Sequence, residues 1–402
     1  MSDLHRQICE AIAALGGRAL LVGGCVRDRL LGITPLDIDC EVHGIEPDQL
    51  CQILSAYGEV DKSGERFGVF TLKEQGFDFA LPRIERLTGS AHTDFDVTPI
   101  PSLTPREAAA RRDFTVNAIM MDALTGEIID PYGGADDLKR GVLRAVPGGQ
   151  FHEDPLRVLR GAQFAARFHL WPDGDTLAQM RRMPLDTLSA QRVMSETKKA
   201  LLQAEEPGVY VRILREAGAI TPWFKELCAD NALECAADML DRAAALRDRA
   251  KEPLAFMLAA MTGALCKEDE SALLARLGVN KSVSAVCASL TALYGETAAC
   301  LAAGSGMERT HLLFDACACA HDLALLCIAG GADEARMTER LRAYEAAAAR
   351  PMPTGRMLME AGAKPGPHMK EQLSAARKKA LLGMDAGEAV KQVLREEISL
   401  PQ

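Results

Sequence analysis

LLVGGCVRDRLLGITPLDIDCEV, residues 20–42, decides how the chain is read. The apolar run Ala19 to Val22 ends at Gly23-Gly24, and VRDRLL follows at helical spacing until Gly32 supplies a stop. Paired glycines let backbone come close to a phosphate, and the helix behind them presents free N–H groups. Arg27, in the first turn of that helix, is placed to add a charged donor to a triphosphate. DIDCEV (37–42) alternates as a strand does, which predicts that Asp37 and Asp39 face one side. Two hard oxygen ligands on one face suit Mg2+ bridging the phosphates of a nucleotide. Asp78, on a neighbouring predicted strand, is a third acidic group near the metals.

Each piece alone is weak. A Gly-Gly pair is usually only a turn, and an isolated Asp-x-Asp is usually a solvated strand end. The order strand, Gly-Gly, helix, Asp-x-Asp strand is far more specific. A dinucleotide fold needs GxGxxG after the strand and a Walker loop needs GKS or GKT. The segment has neither.

Working outward, the chain up to about residue 147 reads as mixed α and β. Residues 4–15 suit a helix. FGVFTL (67–72) and FDFAL (77–81) flank Glu74-Gln75-Gly76, a hairpin signal, and AIMMDA (118–123) and EIIDPY (127–132) flank Thr125-Gly126, a second one. After Phe151 the spacing turns helical, with Leu156, Leu159, Phe164 and Phe168 on one broad face. Residues 228–349 are rich in Ala, Leu and Cys and read as packed helices. Pro351-Met352-Pro353 breaks the chain before a basic helical tail.

Composition limits the function classes. A quarter of the 402 residues are charged and 48% are hydrophobic, as in a globular chain of two to four domains. No apolar run is expected to cross a bilayer, and the charged N-terminus lacks the core of a signal peptide, so a cytoplasmic protein is expected. Twelve cysteines without a CxxC pair argue against a zinc ribbon or a disulfide scaffold, and most are expected to be buried apolar side chains. The net charge of −10 excludes a general nucleic-acid coat but leaves room for local basic surface. Residues 350–402 hold nine Lys or Arg against six Asp or Glu, and 154–203 hold eight against five. Two segments of +3 therefore flank an acidic remainder.

Three later segments complete a pattern: RRDFTVNAI (111–119) after a polar loop, DPYGG (130–134) closing the second hairpin, and EDPLRVLR (153–160) opening the helical region. With RFGVF (66–70), AQRVMSETKKALL (190–202) and PTGRMLMEAGAKPGPHMKEQL (353–373), the sequence resembles the class II tRNA nucleotidyltransferases, the bacterial CCA-adding enzymes and their poly(A) polymerase relatives. The resemblance covers the first ~225 residues, fades across 228–349 and returns in the tail.

The resemblance implies an α+β, polymerase-β-like nucleotidyltransferase head at 1–147, then all-α neck (148–227), body (228–349) and tail (350–402). It implies CCA addition to the 3′ end of tRNA from CTP and ATP, with Mg2+, no membrane and no obligatory protein partner. Carried over by motif, Asp37 and Asp39 hold the metals with Asp78 beside them. Gly23, Gly24 and Arg27 take the triphosphate. Arg112 contacts the nucleotide, with Asp113 positioning that arginine. Asp154, Arg157 and Arg160 form the base- and phosphate-binding surface of the neck. Lys364, Lys370, Arg377, Lys378 and Lys379 form the tRNA-binding surface of the tail.

Asp154 and Arg157, three apart on a predicted helix, would present a carboxylate beside a guanidinium. Cytosine and adenine both offer an amino donor next to a ring-nitrogen acceptor, while uracil and guanine present the reverse. One protein pair can thus accept C and A and repel U and G. The bland counterpart is a surface salt bridge, which the head motifs disfavour.

Two departures carry information. Gln163 stands where many relatives carry a further arginine, so one positive contact is missing or supplied elsewhere. His321-Asp322 lies too far along for the metal set of an HD phosphohydrolase, and a structural role is expected for it. Cys317, Cys319 and His321 would point to different faces of a helix, against a metal site. A-adding enzyme or poly(A) polymerase, a catalytically inactive RNA-binding relative, and a phosphohydrolase stay open as alternatives at this point.

Overall fold

In the computed structural model the described residues are 2–35, 37–73, 76–87, 95–148, 150–229, 231–304 and 306–398. For 85–87, 95–96 and 397–398 the description is of backbone only. The chain forms two units, one of Met1–Ala200 with Val209–Trp223, the other of Leu201–Gly208 with Phe224–Gln402.

The first unit is built on a seven-stranded sheet. In chain order its elements are α1 (Asp3–Ala14), β1 (Arg18–Val22), α2 (Gly24–Leu30), β2 (Asp39–His43), α3 (Pro47–Ser55), β3 (Val60–Asp61), β4 (Val69–Leu72), β5 (Phe77–Ala80), β6 (Arg83–Leu87), β7 (Phe95–Pro99), α4 (Pro105–Ala109), β8 (Met120–Asp122) and β9 (Ile128–Ile129). The strand order is β3-β4-β5-β2-β1-β8-β9, with β2 and β5 parallel and the other neighbours antiparallel. Both faces of β1 are buried, which is why ALLV reads as an unbroken apolar run. Ala19 and Leu21 join a core with Ile8, Ile12, Val42 and Phe79, while Leu20 and Val22 pack with Ala108, Ala118 and Met120 on the opposite face.

α5 (Gly134–Lys139) and β10 (Val142–Leu143) lead to α6 (Leu156–Phe168), β11 (Trp171–Pro172), α7 (Gly174–Met180), α8 (Ala190–Gln203) and α9 (Gly208–Glu216). β10 and β11 pair in parallel.

Several expectations change in detail. β2 begins at Asp39, so Asp37 precedes the strand. β1 pairs with β2 only as far as Leu21↔Cys40, because Gly23, at φ +71°, turns the chain away. β4 begins after Gly68, whose φ of +70° cannot continue a strand, so FGVFTL is shortened to VFTL. β4 and β5 pair as the hairpin signal predicts, although Glu74 and Gln75 of its turn lie outside the described residues. β6 and β7, RIERL and FDVTP, form a hairpin that sequence reading overlooked, since their charged alternation carries little apolar signal. The segment before RRDFTVNAI is α4 rather than a polar loop, started by a Thr104/Glu107 capping box with Pro105.

The second unit is helical: α10 (Ala232–Ala244), α11 (Pro253–Thr262), α12 (Lys267–Arg276), α13 (Lys281–Ala302), α14 (Met307–Ala316), α15 (Ala320–Ala329), α16 (Glu334–Ala348), α17 (Gly355–Glu360), α18 (His368–Leu381) and α19 (Ala386–Ile398). α11, PLAFMLAAMT, is buried from Ala255 to Thr262, as an all-round apolar helix requires. Contrary to the sequence expectation, α13 is 22 residues long and apolar enough to cross a bilayer by length and composition. It packs on α11 and α15 within the bundle.

All twelve cysteines are free, and half of them are buried; Cys228, Cys235 and Cys266 are exposed, more than expected. Cys317 and Cys319 lie in the turn between α14 and α15 rather than on one helix, with the Cys317 thiol donating to the Cys319 carbonyl at 3.4 Å. Buried Asp322 accepts from the Lys251 and Glu252 backbone N–H groups, each at 2.8 Å, and so anchors the start of α11. His321 lies against it, its Nδ1 at 3.2 Å, a structural arrangement as expected.

Candidate active site

Nine of the eleven head and neck residues singled out from sequence line one open cleft of about 430 Å³ in the first unit: Gly23, Gly24, Arg27, Asp39, Arg112, Asp113, Asp154, Arg157 and Arg160. Asn117 and Phe164, which sequence reading missed, complete it. Asp78 lines an adjoining depression that shares Asp39 and Arg112 with the cleft. Asp37 is exposed and lines neither.

The Gly-Gly turn is shaped by its neighbour. Gly23 is favoured by its φ of +71°, and a Cβ there would stand 2.8 Å from Nη1 of Arg112 and push that guanidinium aside. Arg27, only 6% exposed, donates from Nη1 to Asn117 Oδ1 at 2.7 Å and from Nη2 to Asp28 at 2.6 Å. Its guanidinium lies 4.2 Å above the Phe168 ring, a cation–π contact that fixes it further.

Asp113 does not take the expected role. Its Oδ1 accepts from the Asn117 amide at 2.9 Å and its Oδ2 from Arg160 Nε at 2.7 Å. The chain enters a 3-10 turn at Thr115–Asn117, and Asp113 just before it is buried at the cleft wall beside Arg112. Asp113 therefore positions Arg160, and through Asn117 it positions Arg27, rather than Arg112. Burial acts to raise its carboxyl, but Arg160 and Asn117 outweigh that and hold it below the ordinary range.

Asp39 and Asp78 sit directly opposite each other on parallel β2 and β5. Burial raises the Asp39 carboxyl; Arg112 opposes this, and the Asp78 and Asp37 charges add to it. Two carboxylates facing each other across β2 and β5, open to the cleft and the depression beside it, are hard oxygen donors that fit a divalent cation.

Glu41, one turn of the strand pleat beyond Asp39, escaped sequence analysis. It is 1% exposed, 3.1 Å from His43 Nε2, and accepts from Arg111 Nη2 at 3.3 Å. Burial would raise its carboxyl, yet His43, Arg112 and Arg111 together hold it down to about 2. A depressed carboxylate contributes stability above its unfolded pKa, ~4.3, and loses it as pH falls through the folded value. Glu41→Gln is expected to destabilise the fold at pH 6 by on the order of 3 kcal/mol. In urea unfolding the gap to wild type should narrow below about pH 4; a gap constant down to pH 2 would contradict this.

The neck pair also differs in placement. Pro155 disfavours helical backbone at Asp154, which is extended (φ −130°, ψ 103°), and α6 starts only at Leu156. Asp154 and Arg157 therefore do not form an i,i+3 helix pair, although both line the cleft. Asp154 accepts from the Leu156 N–H at 3.1 Å and, on its two oxygens, from Arg192 Nη2 at 3.0 and 2.8 Å. Arg157 donates to the carbonyls of Gln150 and Arg111 at 2.6 and 2.7 Å. Arg192, on α8, is a positioning residue that only the AQRVMSETKKALL resemblance hinted at. Gln163 is 1% exposed and faces Arg167 rather than the cleft; with its amide oxygen turned that way it accepts at 2.8 Å.

In the second unit, Gly362 (φ +102°) and Pro365-Gly366-Pro367 turn the chain between α17 and α18, as predicted. Lys364, Lys370 and Lys378 are exposed. Arg377 instead grips Asp315 of α14 at 2.8 and 3.0 Å, and Lys379 pairs with Glu396 at 2.9 Å. These two are engaged within the unit because helix packing places a carboxylate opposite each.

The first unit thus joins a mixed sheet, a glycine turn and a carboxylate- and arginine-lined cleft to flanking helices. Residues 19–144 match the poly A polymerase head domain. A multifunctional CCA protein from Stenotrophomonas maltophilia strain K279a is 44% identical over 216 residues, 52% of this chain and 51% of that protein. The chain thus matches about half the length of this relative. Solved structures of a CCA-adding enzyme in apo form II (TM-score 0.74, 21% identity, 98% of this chain and 95% of that one) and of the Thermotoga maritima CCA-adding enzyme complexed with tRNA (0.72, 20%, 98% and 95%) share the fold.

Proposed function

We propose that the chain adds C, C and A to the 3′ end of tRNA from CTP and ATP, in the cytoplasm. The single observation that carries this reading is one cleft uniting the Gly-Gly turn, Asp39, Arg112 and the Asp154/Arg157 pair. The names of the matching relative and of the similar structures support it. In this reading the chain divides into head (1–147), neck (148–227), body (228–349) and tail (350–402).

The terminal ribose oxygen of the tRNA bonds to the α-phosphorus of the nucleotide. The bond from that phosphorus to the bridging oxygen breaks, and pyrophosphate leaves as the hydroxyl proton is lost. Asp37, Asp39 and Asp78 would hold Mg2+, which when bound supplies positive charge at the α-phosphate and acidifies the attacking hydroxyl. Arg27 and Arg112 balance the triphosphate charge, with Gly23 and Gly24 leaving room for it. Asp154 accepts from the amino group of cytosine or adenine, and Arg157 donates to the adjacent ring nitrogen. A guanidinium has five N–H donors, so two bonds to backbone carbonyls leave Arg157 able to do so.

The test is product sequencing with CTP alone, ATP alone or both. The substrates are a tRNA lacking its terminal CCA and an unstructured RNA of equal length. Addition of CCA to the tRNA only is expected. Long A tracts on either RNA would show a poly(A) polymerase instead.

The exposed tail lysines Lys364, Lys370 and Lys378 would meet tRNA phosphates. Replacing all three by alanine is expected to weaken tRNA binding and to make its salt dependence shallower, by a slope of about 0.9 per lost phosphate contact. CTP affinity should be unchanged. An unaltered salt slope would remove the tail from the tRNA interface.

A further inference from the structure

α1 buries one face, His5, Ile8, Cys9 and Ile12, against the sheet. His5 and Cys9 are four residues apart and so lie one above the other on that face. Cys40 approaches from β2, on the core side of the strand, opposite the side that carries Asp39 and Glu41. One donor atom from each of the three side chains lies within 4.8 Å of the other two, and all three residues are buried.

The imidazole gives the second observation. His5 is 1% exposed, and neither ring nitrogen has a hydrogen-bond partner among the described residues. The ring is held in orientation by stacking on Phe77 at 5.0 Å and by an edge contact with Phe79 at 5.3 Å. A polar ring buried without partners is disfavoured unless something else satisfies it. A histidine nitrogen and two thiols converging on one point are a soft donor set, of the kind that selects Zn2+ or Cu+ over Mg2+.

We propose that His5, Cys9 and Cys40 bind one thiophilic metal ion, separate from the carboxylate site on the other face of β2. Binding breaks both S–H bonds, forms two metal–sulfur bonds and one metal–nitrogen bond, and releases two protons to solvent. Metal–ligand distances of about 2.0–2.3 Å place donors roughly 3.5–3.8 Å apart, so donors already within 4.8 Å of one another need close by no more than about 1 Å on binding. The ion staples α1 to the strand that carries Asp39.

Zn2+ is the probe. The full chain, fully reduced and in excess Mg2+, is loaded with Zn2+, dialysed against a weak chelator, and its zinc content and melting temperature are measured. The same is done for His5→Leu and Cys9→Ala. Wild type is expected to retain one zinc more per chain than either variant, and only wild type should melt higher with zinc. Equal zinc in wild type and folded variants would assign the binding to other cysteines and overturn the proposal. Should the variants fail to fold, Co2+ substitution of wild type decides. A thiolate-to-cobalt charge-transfer band, bleached by one equivalent of Zn2+, supports the site. Its absence, or a Cys9–Cys40 disulfide under the same reducing conditions, overturns it.

Discussion

Asp39→Ala is expected to lower nucleotide addition by at least about a thousandfold while leaving the fold intact. The catalytic loss follows from removing a proposed cation ligand, since charge stabilisation of that kind is worth several kcal/mol at the transition state. The fold should tolerate it because β2 is held by Cys40 and Val42 on its core face. Removing Asp39 also removes a carboxylate raised by burial and by the charges of Asp78 and Asp37. Asp37→Ala is expected to lose activity too, although Asp37 stands ahead of the strand. Addition assays in Mg2+, with circular dichroism as the fold control, check both. Wild-type rates for Asp39→Ala would contradict the metal assignment.

The second large effect concerns choice of base. Asp154→Ala and Arg157→Ala should slow CTP and ATP use and relax rejection of UTP and GTP. Losing one partner of a matched pair costs ~1–3 kcal/mol, about 5- to 150-fold. Arg192→Ala should act in the same direction more weakly, because Arg192 holds the Asp154 carboxylate rather than the base. Incorporation rates for the four nucleotides decide it. An unchanged order of preference in Asp154→Ala and Arg157→Ala would rule out the base-reading role.

Much of this site was legible because its parts are local in sequence. Gly23, Gly24 and Arg27 belong to one turn and helix, and Asp39 opens the next strand. What stayed hidden depends on contacts between distant segments. Nothing local says that Asp113 meets Arg160, 47 residues away, or that Arg192 crosses to Asp154. Glu41 was passed over because strand alternation marks its face but not the two arginines that meet it there. The helical pairing of Asp154 with Arg157 was a misreading of Pro155, whose effect on the preceding backbone is itself visible in the sequence. In the tail, charge alone could not separate Arg377 and Lys379, which pair with carboxylates, from the exposed Lys364, Lys370 and Lys378.

The proposed function requires that one cleft add C, C and A in order without a template. Its most direct test is single-nucleotide incorporation into three forms of one tRNA, lacking all three, the last two, or only the last of the terminal residues. C addition to the first two, A addition to the third, and no use of U or G on any of them are expected. Addition of A alone to all three forms, with CTP ignored, would contradict it.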